Sequence, residues 1–326
     1  MTRIAEIWTD SLDRTRRSPI TDGDFRIFAI NAVSSQEFYA GSDSESHRLL
    51  ALRVRREPPR VELNSESITC FSRLRGDGSW LLVFRLEQAQ LAVVFERLCE
   101  DLVEGAKVTG DEPSLLRFIV QRVHLWKRLF SRLGNGFLPE HEIKGLVGEL
   151  LFLEGLVLEQ TYSRVEVVTA WEGPMDVDQD FRFHDKTIEI KTIGPAATEV
   201  TIASLQQLDA PPPFDLVVLT LRQSGAALSS MSVTLNSLTR RVRSALEAEP
   251  EAVALFRDRL LSAGYVEDPY YDAFWFTPSN RSTYPVGMDF PRLTAGNVPV
   301  GVAGAIYQIS LDDLARLSAR QGPADG

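Results

Sequence analysis

The sequence predicts an α/β protein in which a mixed central sheet is flanked by helices and preceded by a β-rich N-terminal module. Short apolar and β-branched runs, separated by Gly, Pro, Asn and Ser, fill the first ~85 residues, which is typical of strands. After residue 87 the apolar residues recur at helical spacing. Beyond residue 160 strand and helix patterns alternate, and the run 214–221 lacks polar alternation, as in a strand covered on both faces.

Length and composition set the domain count and the class of protein. The 326 residues are enough for two compact units, which we place at 1–110 and 111–326, the second with a C-terminal extension. With 44% hydrophobic and 25% charged residues, the chain is neither mainly disordered nor fibrous. Its apolar runs stop short of the ~20 residues of a membrane span, and two cysteines build no disulfide framework. Residues 2–17 mix charges throughout, so we do not expect a secretory leader. We therefore expect a soluble cytoplasmic protein that does not contact membranes.

The N-terminal module is predicted to contain four strands and to end in a helix. The turn Gly76-Asp77-Gly78 indicates a hairpin between the last two strands. Apolar residues at helical spacing then predict one helix up to residue 105 and a second over 112–133. The predicted strands are 26–32, 49–54, 68–74 and 79–86.

The second domain begins with a strongly apolar helix. Gly134-Asn135-Gly136 ends the preceding helix, because these residues tolerate left-handed backbone geometry, and a helix over 139–160 follows. Further strands are predicted over 164–169, 180–183, 187–193, 214–221, 273–276 and 304–309, and further helices over 203–208, 235–248, 251–263 and from 311 onward.

The charge argues against a protein that coats nucleic acid with its whole surface. The net charge is −10 and the isoelectric point is near 5.1. A local basic patch remains available on the helix 112–133, where a phosphate contact and an ordinary solvated face are both open. Its basic residues are Arg117, Arg122, Lys127, Arg128 and Arg132.

The residues that point to chemistry lie between 171 and 193. Glu189 and Lys191 are two positions apart in the apolar strand Thr-Ile-Glu-Ile-Lys-Thr-Ile, so their side chains share one face. Burying charge costs several kcal/mol unless it is paired or metal-bound, so this placement calls for a reason, either an ion-paired hairpin without a metal or a metal site.

The preceding strand offers a second carboxylate. A two-residue turn at Asp185-Lys186 places Asp180 opposite Lys191 and on the face of Glu189, whereas a three-residue turn places it on the other face. Two carboxylates at a hairpin suit Mg²⁺ or Mn²⁺, which keep several waters and bind phosphate oxygens. Glu149, on the helix 139–160, either lies on the helix surface or faces the sheet, where it would assist such a site.

Together these residues resemble the PD-(D/E)XK nuclease-like core, a helix, a three-stranded meander, a helix and a further strand. The matching motifs are the Gly-Glu helix 145–153, Trp171-Glu172-Gly173-Pro174, Asp180-Phe181 and Glu189-Ile190-Lys191, followed by Gln206 or Gln207 with Leu208. The chain looks similar, over nearly its whole length, to bacterial PD-(D/E)XK proteins encoded near restriction-modification and phage-defence genes.

The resemblance implies Mg²⁺- or Mn²⁺-dependent DNA hydrolysis in a restriction-endonuclease-like fold. Asp180 and Glu189 would be metal ligands with Glu149 as an auxiliary acid and ligand, Lys191 would be the catalytic lysine, and Gln206 or Gln207 would position it. Asp176 is a second candidate for the aspartate, since Pro174-Met175-Asp176 is close to the family's Pro-Asp pair with one residue inserted.

Two functions stay open on the sequence. The first is a DNA endonuclease, or the nuclease subunit of a defence system, acting with other defence proteins or as a homodimer. The second is a catalytically silent DNA-binding or scaffolding subunit, which the acidic charge favours.

Overall fold

The chain forms two compact units, Met1–Phe137 and Leu138–Gly326. A computed structural model describes residues 4–30, 37–61, 67–107, 109–132, 137–175 and 177–321. The helix over 112–132 belongs to the first unit, whereas residue 111 was predicted to begin the second domain. The predicted helix stop at residues 134–136 lies outside the described residues.

The first unit is built on a five-stranded antiparallel sheet of order β1-β2-β3-β5-β4. The predicted hairpin is confirmed, with β4 and β5 paired from Leu74 opposite Trp80 to Ile68 opposite Leu86. The strands are β1 (Phe25–Ala29), β2 (Glu37–Asp43), β3 (Arg48–Val54), β4 (Ile68–Leu74) and β5 (Trp80–Leu86), and the helices are α1 (Ile4–Arg17), α2 (Ala92–Ala106) and α3 (Glu112–Arg132).

Two elements of this unit were not predicted from the sequence. Helix α1 is amphipathic, and its buried face includes Trp8, which stacks on Phe95 with ring centroids 5.4 Å apart. Strand β2 carries Gly41, Ser42 and Asp43, residue types that weaken a strand pattern. Neighbouring strands on both sides stabilise it, so tertiary pairing overrides the local preference.

The basic stretch on α3 is less available to phosphates than its sequence indicates. Arg122 is 4% exposed and forms an ion pair with Asp101, Nη2 donating to Oδ1 at 2.9 Å. The Trp126 indole donates to the same carboxylate at 2.8 Å. Arg122 and Trp126 therefore both belong to the interior of the first unit.

The second unit contains a mixed four-stranded sheet of order β10-β9-β7-β6, in which β7 and β9 are parallel and the other pairs antiparallel. A separate pair of strands, β8 and β11, is antiparallel. The strands are β6 (Phe181–Arg182), β7 (Thr187–Ile193), β8 (Glu199–Ile202), β9 (Phe214–Ser224), β10 (Trp275–Pro285) and β11 (Tyr307–Ser310), and the helices are α4 (Glu140–Glu159), α5 (Arg164–Ala170), α6 (Leu235–Leu246), α7 (Pro250–Ser262) and α8 (Leu311–Gln321).

Both faces of this sheet are covered, as the unbroken apolar run of β9 predicts. Val217 and Leu219 join the core formed with α4, α6 and α7, while Leu216 and Val218 join a second core formed with β8 and β11. The predicted α/β architecture, a mixed sheet flanked by helices after a β-rich module, is confirmed.

Two local predictions in this unit are wrong. The stretch 164–169 was expected to be a strand because of its valines, but it forms α5. Ser163 and Glu166 form a reciprocal capping box there, with hydrogen bonds of 3.2 and 2.9 Å, which satisfies backbone groups at the helix start. The stretch 203–208 was expected to be helical, but it forms turns after the unpredicted strand β8.

Helix α4 lies unusually close to β7. A Cβ at Gly148 would lie 2.1 Å from Thr192 Cγ2, so only a glycine permits this approach without rearrangement. The contact brings the neighbouring Glu149 to the edge of the sheet.

Across the described part of the chain, no helix is both long and apolar enough to cross a membrane.

Candidate active site

The site is built on the β6–β7 hairpin. Phe181 pairs with Ile188 and Arg182 with Thr187, and the Phe183 amide donates to the Lys186 carbonyl at 2.8 Å. The turn residues are thus 184 and 185, not 185 and 186, and the predicted pairing was wrong by two positions. A shift of two keeps each side chain on its face, so Asp180 lies beside Glu189 instead of opposite Lys191. Of the two faces left open for Asp180, the structure has the one that a two-residue turn gives.

Glu189 and Lys191 form a buried ion pair on that face. The Glu189 side chain is 2% exposed, and its Oε1 lies 2.8 Å from Lys191 Nζ. The other oxygen, Oε2, is buried and has no hydrogen-bond partner among the residues that the structure describes. Because a buried, unsatisfied carboxylate oxygen is costly, the residue is poised to accept a further cation or donor.

A glutamine holds the lysine from the other side. Lys191 Nζ donates to Gln207 Oε1 at 2.9 Å, and the same oxygen accepts from the Ala203 amide at 2.8 Å. Of the two glutamines left open by the sequence, Gln207 makes this contact. Gln206 is exposed, and its carbonyl accepts from the side chain of Gln179 at 2.7 Å.

Asp180 and Glu149 approach the same edge of β7 from two different elements. Asp180 Oδ2 accepts from the Ile190 amide at 2.7 Å, which fixes the carboxylate against the strand. Glu149 Oε2 accepts from the Trp171 indole, also at 2.7 Å. Of the two positions considered for Glu149, the structure therefore has the one that faces the sheet.

The segment Trp171-Glu172-Gly173 ties these two carboxylates together. The amides of Glu172 and Gly173 both donate to the Asp180 carbonyl, at 2.8 and 3.0 Å. A Cβ at position 173 would lie 2.9 Å from Asp180 Oδ1 and 3.0 Å from Glu149 Oε2. The sequence identifies these residues only as part of a motif. The structure adds that the indole of Trp171 and the missing side chain of Gly173 shape the site.

The carboxylates resist ionisation. Burial, and then the charge of Asp180, raise the pKa of Glu149 to about 8, while the Trp171 hydrogen bond opposes the shift. Burial raises the pKa of Asp180 to about 6 against the Ile190 amide and Lys191. Burial and Asp180 raise the pKa of Glu189 well above its usual range, against Lys191. Ionising all three carboxyls would place several negative charges at one buried edge, and a bound cation would favour that ionised state.

These residues fit a hard divalent cation only as a partial ligand set. Within the described residues, no group of three or more His, Cys, Asp or Glu side chains is arranged to hold a metal ion. Mg²⁺, however, is commonly bound by one or two carboxylates together with waters and substrate phosphates. The unpartnered Oε2 of Glu189 and the carboxylate of Asp180 match that requirement.

The alternative aspartate, Asp176, lies outside the described residues. Asp178, between the two candidates, is exposed. Asp180 is the candidate whose carboxylate meets Glu149, Glu189 and Lys191 in one electrostatic cluster.

Comparison with known proteins gives one family. A family model described as "Putative PD-(D/E)XK family member (DUF4420)" matches residues 4–312, nearly the whole chain. No curated protein and no solved structure gives a significant match to the sequence. The extent of the family match, together with the mixed sheet and its flanking helices, shows that the chain belongs to the DUF4420 family of PD-(D/E)XK-like proteins.

Proposed function

We propose that the protein is a divalent-metal-dependent nuclease that hydrolyses phosphodiester bonds of DNA. The observation that carries the proposal is the buried Glu189 Oε2. In the described part of the chain this oxygen has no hydrogen-bond partner, although Lys191 and Asp180 lie beside it. Family membership supports the nuclease-like fold, and the carboxylate and lysine chemistry of the site supports the reaction.

In this proposal Asp180 and Glu189 hold Mg²⁺ or Mn²⁺, with Glu149 as an auxiliary acid at the same edge. When bound, the ion would supply Lewis-acid polarisation of a phosphate oxygen and lower the pKa of a water. Lys191 offsets the negative charge that develops on the phosphate and orients the attacking water. Gln207 keeps the lysine in place, because its Oε1 is itself held by the Ala203 amide.

Glu149 has a separate role in the proposal. With a pKa of about 8 it keeps its proton at neutral pH in the metal-free protein, while its Oε2 accepts from Trp171. A neutral carboxyl adds no further negative charge beside the incoming phosphate, and it gives the site a proton donor.

The wider biological role also belongs to the proposal. A nuclease of this kind would act in restriction or phage defence, with other defence proteins as partners. A homodimer would supply the two sites needed to cut both strands of a duplex.

The acidic surface supports one competing function. A net charge of −10 favours a catalytically silent, nuclease-like DNA-binding or scaffolding subunit over a protein that binds DNA unaided. Such a subunit would not cut DNA and would gain nothing from Glu189 or Lys191 as catalytic groups, so the two functions separate in a cleavage assay.

The test is cleavage of supercoiled plasmid and phage DNA, modified and unmodified, with Mg²⁺ or Mn²⁺. Wild type is compared with Lys191→Ala, Asp180→Ala and Asp176→Ala, and with Glu199→Ala as a control for an exposed strand carboxylate. We expect wild type and Glu199→Ala to cut and the Lys191 and Asp180 variants to be inactive. Loss of cutting in Asp176→Ala alone would transfer the metal-ligand role to that residue. Binding of DNA without cutting on every substrate would support the scaffolding subunit.

A further inference from the structure

A cavity lies beside the candidate active site, at the tip of the β6–β7 hairpin. Its volume is about 390 Å³, within the range of small-ligand pockets. The hairpin forms one wall, and the segment that leads into β9 forms the other. The residues that matter for its chemistry are Gln179, Arg182, His184, Asp209, Ala210 and Pro213.

The cavity adjoins the site along a single face of the sheet. Thr187 lines it, and two positions further along β7 stands Glu189, a separation of ~6.6 Å along a strand. Arg182 pairs with Thr187 in the hairpin, so its side chain is on that face as well. A substrate strand with its phosphate at Glu189 would therefore place a neighbouring nucleotide at the cavity.

A chain of hydrogen bonds joins the cavity to the lysine. Arg182 Nη2 donates to Gln179 Oε1 at 2.9 Å, and Gln179 Nε2 donates to the Gln206 carbonyl at 2.7 Å. The next residue, Gln207, holds Lys191 Nζ. The Gln179 side chain is buried, so it acts as a fixed link between the cavity wall and the loop that positions the lysine.

The lining suits a nucleotide better than a purely apolar or purely ionic ligand. Ala210 and the prolines at 211–213 offer an apolar wall for a base and sugar. The Arg182 side chain is 53% exposed. Its Nε lies 3.8 Å from Glu172 Oε2 and its Nη2 donates to Gln179, which leaves further guanidinium N–H groups for a ligand, while the exposed Asp209 offers acceptors. Arginine and carboxylate groups are suited to the edges of bases, and arginine also to phosphate.

The hairpin tip is held in place before any ligand binds. The Tyr162 ring stacks on Phe183 with centroids 4.3 Å apart, and its hydroxyl donates to Asp185 at 2.8 Å. Lys186 forms an ion pair with Asp215 at 3.1 Å. A wall fixed in this way binds a ligand with a smaller ordering cost.

We propose that this cavity is a subsite for the nucleotide next to the phosphate that is cut. Arg182 is its main polar contact, and Ala210 with the prolines contacts the base and sugar. Nucleotide binding is inferred from the cavity alone. The position of this nucleotide next to the cut phosphate rests on the proposed nuclease function.

The test measures binding of the four deoxynucleoside 5′-monophosphates to the full chain by isothermal titration calorimetry, without metal. The variants are Arg182→Ala, which removes the guanidinium, and Ala210→Phe, which fills the cavity. Arg222→Ala, an exposed arginine on β9 outside the cavity, is the matched control, and thermal unfolding shows that each variant is folded.

We expect wild type and Arg222→Ala to bind at least one nucleotide, and each cavity variant to bind it about tenfold more weakly or worse. The proposal is overturned if millimolar nucleotide does not bind wild type, or if both cavity variants bind as wild type does. If wild type cleaves DNA but gives either of those results, the nuclease proposal is supported and the subsite proposal is refuted. If the protein binds nucleotide through this cavity but does not cut DNA, the binding site is supported and the nuclease proposal is refuted.

Discussion

Adding one methyl group at Gly173 is the most selective steric perturbation of the site. In Gly173→Ala the new Cβ would lie 2.9 Å from Asp180 Oδ1 and 3.0 Å from Glu149 Oε2. Ordinary contacts of this kind begin near 3.4 Å, so the two oxygens must withdraw by about 0.5 and 0.4 Å.

Neither carboxylate withdraws freely. Asp180 is held by the Ile190 amide and Glu149 by the Trp171 indole, each through a hydrogen bond of 2.7 Å. Overpacking a constrained site costs about 1–3 kcal/mol of unfolding free energy. Displacing these proposed catalytic groups by a fraction of an ångström is expected to slow the proposed cleavage by about tenfold or more, since 1 Å of misplacement costs about 100-fold.

The assay combines chemical denaturation with DNA cleavage kinetics, using Gly145→Ala as the matched control. Gly145 lies on α4 with open space around its missing Cβ, and alanine stabilises a helix interior by about 1 kcal/mol relative to glycine. We expect Gly145→Ala to be as active as wild type and equally or more stable. If Gly173→Ala matched Gly145→Ala in both stability and cleavage, the close packing of Asp180 and Glu149 around position 173 would be refuted.

Three further predictions concern single groups. The pKa of Glu149 is about 8 in the folded protein and 4.5 ordinarily. Between pH 4.5 and about 8 the folded state therefore binds a proton that the unfolded state has lost. The unfolding free energy of the metal-free protein should therefore decrease as the pH rises through this range. Chemical denaturation at several pH values should show a smaller decrease for Glu149→Gln than for wild type. Gln207→Ala should lower the unfolding free energy by about 1 kcal/mol, because the hydrogen bonds to Lys191 and Ala203 are lost. It should also slow cleavage about tenfold with little change in KM, because Lys191 is held less firmly. An unchanged cleavage rate would contradict the positioning role of Gln207. Asp101→Ala removes the carboxylate that pairs with the buried Arg122, so it should lower the unfolding free energy by about 3–5 kcal/mol in a urea titration. A change below about 1 kcal/mol would contradict the buried ion pair.

The sequence was most informative where charge interrupts an apolar strand. Glu189 and Lys191 within β7 indicated a site from their residue types and spacing alone, because a buried strand does not otherwise carry both. The sequence left two faces open for Asp180, because the length of the turn decides between them. The turn has two residues as in the first alternative, and although it lies one residue earlier than placed, the even register shift preserves the face.

Local pattern was misleading where side chains or distant strands decide the structure. The valines of α5 indicated a strand, but the capping box of Ser163 and Glu166 starts a helix. Strand β2 was not recognised because it is stabilised by pairing with β1 and β3 more than by its own residues. The contacts of Trp171 with Glu149, and of Gln207 with Lys191, join residues 22 and 16 positions apart, and no local periodicity encodes them.

The most direct measurement is the effect of Mn²⁺ on the unfolding of wild type and Glu189→Ala, because Glu189 Oε2 is a buried carboxylate oxygen without a hydrogen-bond partner within the described ranges. A ligand that binds only the folded state stabilises it by about 2.7 kcal/mol at 100 times its Kd. We predict a saturable gain of this kind in wild type and in the exposed-carboxylate control Glu199→Ala, and its loss in Glu189→Ala. An equal gain in Glu189→Ala, or none in wild type, would contradict a metal site at Glu189.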